Sequence, residues 1–263
     1  EANITFRLYN DEGSVSVNTF TDKTRTINWT LLNQDTYYYN TTICDLVNNC
    51  NSTETRTIIL DTTSPLIDYG FGTENNGVNV SRNWIYVNVS VTELNEVNIT
   101  FRLYNSTYGI LYEDVFSNGT RARNWTNLQD GTYYYNATIV DKTNKINSTE
   151  TRKITIDVSS PTGILINPEN NTYTTNVTQN FSVNASDGIG LSNATLYIYN
   201  ETGLIYEATQ ALNGATKVLV GIVYTFLYDG IFKWFYKIVD ISNNYFYTQN
   251  YTITLDTTFP LIN

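Results

Sequence analysis

The 263 residues suffice for two or three domains, each large enough for its own core. With no His and no Met, the chain has no route to Ser-His-Asp or Cys-His catalysis, imidazole bases or most zinc chemistry. Its net charge of −10 disfavours nucleic acid and anionic membranes as partners. With only 15% charged residues, polarity rests on amides and hydroxyls, here 36 Asn and 41 Thr.

In chain order, Glu1 leads into a strand-like run instead of a basic and apolar signal segment, so residue 1 is not read as a translation start. The run NITFRLYN at 3–10 returns at 98–105, DTYYYNTTICD from Asp35 is matched by GTYYYNATIVD ending at Asp141, and NSTETR at 51–56 returns at 147–152. A weaker third copy, DGIFKWFYKIVD, occupies 229–240. Each unit closes on a shared aspartate: Asp61 in TIILDTTSP, Asp157 in ITIDVSSP and Asp256 in TITLDTTFP. Their spacings of 96 and 99 residues describe whole domains and not the roughly 20–45-residue units of a solenoid. The register makes 1–61 the C-terminal part of a repeat, 62–157 a complete repeat and 158–256 a complete but divergent one. Residues 257–263 are the first strand of a following repeat or a donor strand for a neighbour.

Within a unit the pattern alternates with the period of a half-buried strand. Ile85, Val87, Val89 and Val91 fall on one face, as do Ile99, Phe101 and Leu103, and later Phe181, Val183 and Ala185. The late inward sets are Tyr37, Tyr39 and Ile43, then Tyr133, Tyr135 and Ile139, then Phe232, Trp234 and Ile238. Turn signals such as Asn118-Gly119, Asp130-Gly131 and Asn213-Gly214 separate about seven short strands per unit, which describes a β-sandwich.

The run from a DG-T-Y-x-Y strand through a D-x-x-N turn to T-I-x-L-D-T-T-x-P resembles the C-terminal half of prokaryotic Ig-like surface repeats. The D-x-x-x-N-C-N turn and TYYYN strands look more archaeal than bacterial. The resemblance runs through all three units, loosely in the third. It implies an all-β chain of tandem Ig-like sandwiches of about 96–99 residues in an extracellular setting; no enzymatic activity is expected, because histidine is absent and the notable acidic residues recur in equivalent turns where a catalytic pair would need unique positions.

Nineteen Asn-X-Ser/Thr sites occur where composition alone gives roughly 7 to 8. They are Asn3, Asn28, Asn40, Asn51, Asn79, Asn88, Asn98, Asn105, Asn118, Asn124, Asn136, Asn147, Asn170, Asn176, Asn180, Asn184, Asn193, Asn200 and Asn250. Alternation places Asn88, Asn98, Asn136, Asn180, Asn184 and Asn193 outward, where N-linked glycans are tolerated. No such site falls in 201–249, a stretch that holds the longest apolar run, 218–228. That run is well short of the roughly 20 residues of a membrane helix, so no span is expected in this chain. A strand apolar on both sides needs cover on both. One reading is a thicker core, and the other is a glycan-free interface through Val218, Val220, Ile222, Tyr224, Phe226 and the outward Phe235.

Cys44 and Cys50 align with Val140 and Ile146 and with Val239 and Tyr245, pairs that flank one hairpin turn, so a disulfide and an oxidising compartment are expected. D-x-x-N recurs at Asp45/Asn48, Asp141/Asn144 and Asp240/Asn243, and Asp61, Asp157 and Asp256 precede Pro-containing linkers. These six aspartates are either Asx-turn residues or oxygen ligands for structural Ca²⁺ at domain junctions; no other cofactor is expected. Lys142, Lys145 and Lys153 read as solvated strand-end lysines. Together these features predict a self-associating structural component of a glycosylated extracellular filament, surface layer or stalk. The alternative is the spacer of a cell-surface adhesin whose binding domain lies outside the chain.

Overall fold

The computed structural model describes residues 1–261, and every regular element among them is a β-strand. The chain is an all-β tandem in which the second and third units are β-sandwiches and the described part of the first is a single sheet. The first unit contributes β1 (Asn3–Asn10), β2 (Gly13–Phe20), β3 (Asp35–Cys44), β4 (Cys50–Ser52) and β5 (Arg56–Leu60). They form one antiparallel sheet ordered β2-β1-β3-β4, with β5 also on β3. The second unit contributes β6 (Leu66–Tyr69), β7 (Val78–Val80), β8 (Ile85–Thr92), β9 (Glu96–Tyr104), β10 (Ile110–Phe116), β11 (Ala122–Trp125), β12 (Gly131–Asp141), β13 (Ile146–Ser148) and β14 (Arg152–Ile156). Its sheet β10-β9-β12-β14-β7 repeats the first unit's sheet and gains β7, which pairs parallel to β14. Opposite it stands the three-stranded sheet β11-β8-β6.

The third unit contributes β15 (Thr162–Asn167), β16 (Thr172–Thr174), β17 (Thr178–Tyr199), β18 (Leu204–Thr225), β19 (Gly230–Asp240), β20 (Tyr245–Tyr247) and β21 (Tyr251–Leu255). Here the two layers share strands. The start of β17 pairs with β15, its end pairs with β19, and β18 follows β17 along both halves. Asn213-Gly214 is therefore not a turn between strands. Both residues have positive φ inside β18, at a bulge where the strand crosses between layers. A Cβ on Gly190 of β17 would come within 3.0 Å of the Gly214 carbonyl oxygen, so the crossing needs glycine there. In the second unit the same path is broken at 93–95 and 117–121.

The alternating residues fill the cores as expected. Ile85, Val87, Ile99, Phe101, Leu103, Tyr135 and Ile139 are fully buried in the second unit, as are Phe181, Val183, Trp234, Tyr236 and Ile238 in the third. Each large side chain buried this way contributes about 1.5–3 kcal/mol. In the first unit Ile4, Phe6, Leu8 and Tyr37 are buried, but Tyr39 is half-exposed and Ile43 exposed, because no counterpart of β8 faces them among the described residues. Residues 257–261 carry no strand, and the last two residues of the expected 257–263 strand lie outside the described residues.

The two layers are also tied by hydrogen bonds through the core. Tyr236 of β19 donates its buried hydroxyl to the Phe181 carbonyl at 2.9 Å, and Tyr135 of β12 donates to the Glu74 carbonyl at 2.9 Å. Leaving a buried acceptor unpaired costs roughly 1–3 kcal/mol. Tyr236→Phe should therefore lower the urea-unfolding free energy of the third unit by roughly 1–3 kcal/mol, with no shift in the second unit's transition.

Candidate functional site

The hairpin after the long central strand of each unit is built on D-x-x-N. Asn48, Asn144 and Asn243 sit at φ of 66°, 64° and 68°, the left-handed region that Asn tolerates better than other side-chain-bearing residues. Asp45 Oδ1 accepts N–H bonds from Val47 and Asn49, Asp141 Oδ1 from Thr143 and Lys145, and Asp240 Oδ1 from Ser242 and Asn244. The Asx-turn role is therefore present in all three units. In the second and third it leaves Oδ2 at the end of the sandwich, where the preceding unit enters.

At the first junction Asp61, Glu93 and Asp141 bring carboxylate oxygens within 4.8 Å of one another. Asp61 comes from the linker, Glu93 from the break between β8 and β9, and Asp141 from the end of β12. Three like charges so close repel by on the order of 3 kcal/mol per pair at an effective dielectric of 20. Lys145 relieves this. Its Nζ lies 3.5 Å from Asp61 and 3.4 Å from Asp141, and it donates to the Asp61 carbonyl at 2.8 Å and to the Thr143 hydroxyl. Asn95 Nδ2 reaches Asp61 Oδ2 at 3.3 Å, and Asn147 Nδ2 donates to the Pro65 carbonyl at 2.9 Å. Burial alone would raise both Asp61 and Asp141. The Thr63 and Asn95 bonds on Asp61, the Lys145 and Thr143 bonds on Asp141, and the Lys145 charge outweigh it and hold both below the usual carboxylate value. Lys145 is thus a junction residue and not a solvated strand-end lysine, because the linker aspartate folds back over it.

The second junction repeats the geometry without the lysine. Asp157, Asp187 and Asp240 bring carboxylate oxygens within 4.8 Å, with Asp187 supplied by the bend of β17. Asp157 and Asp240 are 1% and 0% exposed. Asn244 stands where Lys145 stood: its Nδ2 bonds Asp240 Oδ2 at 2.8 Å and the Asp157 carbonyl at 2.9 Å, and its Oδ1 accepts from Ser81. Asp157 Oδ2 and Asp187 Oδ2 are buried with no hydrogen-bond partner. Burial first, then Asp187, Asp240 and Asp130, push the Asp157 carboxyl up to about 6.

The recurring aspartates thus pair off across junctions, Asp61 with Asp141 and Asp157 with Asp240. Asp45 and Asp256 join no such cluster among the described residues: Asp45 closes its own turn, and Asp256 holds the Thr258 N–H and hydroxyl. Glu93 and Asp187 escaped the sequence reading because their bends have different lengths in the two units and no repeat marks them.

The surface differs from the simplest reading of the apolar run. Val220 and Phe226 are buried in the third core, and Val218, Ile222 and Tyr224 pack against it, so these five are core-side residues. The outward residues of that strand are Leu219 and Val223, 64% and 58% exposed. They pair directly with Asn184 and Asn180 of β17, so the strand without sequons is flanked in space by two of them. Phe235 does face outward. It stacks on Tyr197 at 5.1 Å and Tyr199 at 5.9 Å and meets Tyr247 edge-on at 6.0 Å, with Lys237 over the Tyr247 ring. In the second unit the position of Phe235 is held by Asn136, as the shared pairing of β12 with β9 and β19 with β17 shows, and Arg102 and Tyr104 hold those of Tyr197 and Tyr199.

Cys44 and Cys50 are bonded across the β3–β4 pair with Cα atoms 4.1 Å apart. Such a bond fits an oxidising compartment. Among the described residues no helix is long and apolar enough to cross a membrane.

No family model and no curated protein matches this sequence. Among solved structures, the chain is similar to the tetra-tandem repeat in the extending region of a large adhesion protein, at 15% identity and a TM-score of 0.45, covering 97% of this chain and 67% of that one. It is also similar to the fibronectin(III)-like modules of Clostridium thermocellum CbhA, at 14% identity and a TM-score of 0.36, over 72% of this chain and 93% of that one. A third likeness is to the chicken CNTN1 FN1-FN3 domains, at 8% identity and a TM-score of 0.34, over 95% and 90%. At such identities and scores these likenesses carry nothing about ligand or activity.

A loop as short as that between Cys44 and Cys50 gains about 2 kcal/mol from its crosslink by loop-closure entropy. Reduction of the bond should therefore lower the first unit's unfolding free energy by about 2 kcal/mol and leave the other two transitions in place, as read by urea unfolding with and without dithiothreitol.

Proposed function

We propose that the chain is a structural segment of a glycosylated extracellular surface protein of a prokaryote, most in keeping with an archaeal source, in which tandem sandwiches assemble into a filament, surface layer or stalk. The observation that carries the reading is the replacement of Asn136, with Arg102 beside it, by Phe235 and Tyr197 at the same register positions of the outer face. Where the second unit offers a sequon on its sheet, the third offers Phe235 stacked among Tyr197, Tyr199 and Tyr247. Glycan on the other faces keeps them apart from neighbours, and the aromatic face is left for a second copy of the chain. Aromatic rings supply large contact area at low entropic cost.

The adhesin-spacer reading is favoured by a different observation, the buried carboxylates and hydrogen bonds that tie each linker to the next unit, which suit a stiff rod. Sedimentation separates the two. The wild-type chain should self-associate, and Phe235→Asn with Lys237→Thr, which recreates the Asn-X-Thr of the second unit, should stay monomeric when produced in a glycosylating host. A wild-type chain that sediments as a monomer at all accessible concentrations would move the assignment to the spacer.

Site occupancy gives a second test. Asn180 is exposed on β17, whereas Asn147 is half-buried with its amide nitrogen committed to the Pro65 carbonyl. Intact-glycopeptide mass spectrometry on native material should find Asn180 modified and Asn147 bare. Unmodified asparagine at every sequon would remove glycosylation from the reading.

A further inference from the structure

We propose that the second junction is a divalent-cation site, taking Ca²⁺ between Asp157, Asp187 and Asp240, and that at the first junction Lys145 does with its ammonium group what the ion does at the second. The site reading stands whether or not the chain polymerises.

Two junctions of one chain provide the comparison. Both gather three carboxylates with oxygens inside 4.8 Å, one from the linker, one from the bend between the sheets and one from the D-x-x-N turn. That spread matches oxygens lying about 2.3–2.6 Å from one shared Ca²⁺. At the first junction two of the three carboxylates, Asp61 and Asp141, are paired with Lys145. At the second, the residue in its register is Asn244, which is neutral and spends its amide on Asp240 and on the Asp157 carbonyl. What remains, among the described residues, is a trio with no cationic side chain paired to it, buried at Asp157 and Asp240 and half-buried at Asp187, with two oxygens, Asp157 Oδ2 and Asp187 Oδ2, that lack any hydrogen-bond partner. Asp157 is 1% exposed, and one of its carboxylate oxygens belongs to the group of converging ligand atoms. Buried carboxylates are paired or bind metal, and an orphaned carboxylate oxygen calls for a ligand.

A hard cation suits an all-oxygen donor set without nitrogen or sulfur. Ca²⁺ fits better than Mg²⁺, because the three carboxylates come from separate elements, and Ca²⁺ tolerates irregular geometry and completes six to eight ligands with water. Three carboxylates place the affinity in the range of extracellular modules, about 10⁻⁴–10⁻³ M. A bound ion would join linker, bend and turn, so its presence couples the second unit to the third.

The test is calorimetric titration of the metal-stripped 263-residue chain with CaCl₂, together with thermal melts in Ca²⁺ and in EDTA. Wild type should bind one Ca²⁺ and melt at a higher temperature with the ion. Asp187→Asn, which keeps the shape and removes one charge, should weaken binding at least about tenfold, in line with the effect of ligand charge count. Asn244→Lys should abolish binding and make the melt insensitive to EDTA, reproducing the first junction. Lys145→Asn should raise the stoichiometry to two. A wild type that neither binds nor shifts in about 10 mM Ca²⁺, well above the expected range, would overturn the site. So would binding indifferent to both Asp187→Asn and Asn244→Lys, and a Lys145→Asn chain that stays at one ion would sink the equivalence of lysine and metal.

Discussion

A β-sandwich closes its apolar faces against each other but leaves its two ends to whatever follows in the chain. In this protein the ends are the controlling constraint. The central strand of each unit runs out into a D-x-x-N hairpin whose backbone N–H groups converge on one aspartate oxygen, and in the second and third units the other oxygen of that aspartate faces the linker of the unit before. The linker's own aspartate and an acidic residue from the bend between layers meet it there. Local turn chemistry and domain connection thus use the same side chain, and a change at Asp141 or Asp240 touches both.

The strand pattern was legible because burial enforces it. Ile99, Phe101 and Leu103 are inward for the same reason that Arg102 and Tyr104 are not, and the first unit shows the converse. Tyr39 and Ile43 have the sequence of core residues but stay partly open where no second sheet covers them. Alternation reports which face is built to be buried, and whether it is buried depends on a partner layer that the pattern itself does not contain. The disulfide was legible through the repeat, since the pair replaced by Val140 and Ile146 in the next unit faces across one hairpin.

Other features resisted sequence reading for identifiable reasons. In the run 218–226 both residue sets are apolar, so period two separates the faces without saying which is inside, and the inward set proved to be Val218, Val220, Ile222, Tyr224 and Phe226. The absence of sequons along β18 looked like a bare surface, yet sheets place strangers in sequence side by side, and Asn180 and Asn184 stand directly beside Val223 and Leu219. Lys145 looked solvated because only Asp141 lies near it in sequence; the residue that folds back over it, Asp61, is 84 residues away in the chain. Glu93 and Asp187 were missed because the bend that carries them is a break in one unit and a continuous strand in the other.

The two junctions also differ in how their charge is balanced, and this follows from one residue. Hydrogen bonds from Thr63 and Asn95 on Asp61 and from the Lys145 N–H and Thr143 on Asp141, with the fixed Lys145 charge added, hold both carboxyls below their usual range despite burial. Asn244 supplies hydrogen bonds but no charge, and the Asp157 carboxyl is driven up to about 6 by burial and its acidic neighbours. A like-charged trio that is not balanced internally has to be balanced by something exchangeable, a proton or a cation from solution. The first joint is therefore set by sequence and the second by its surroundings, within repeats that otherwise share strand order, turn and register.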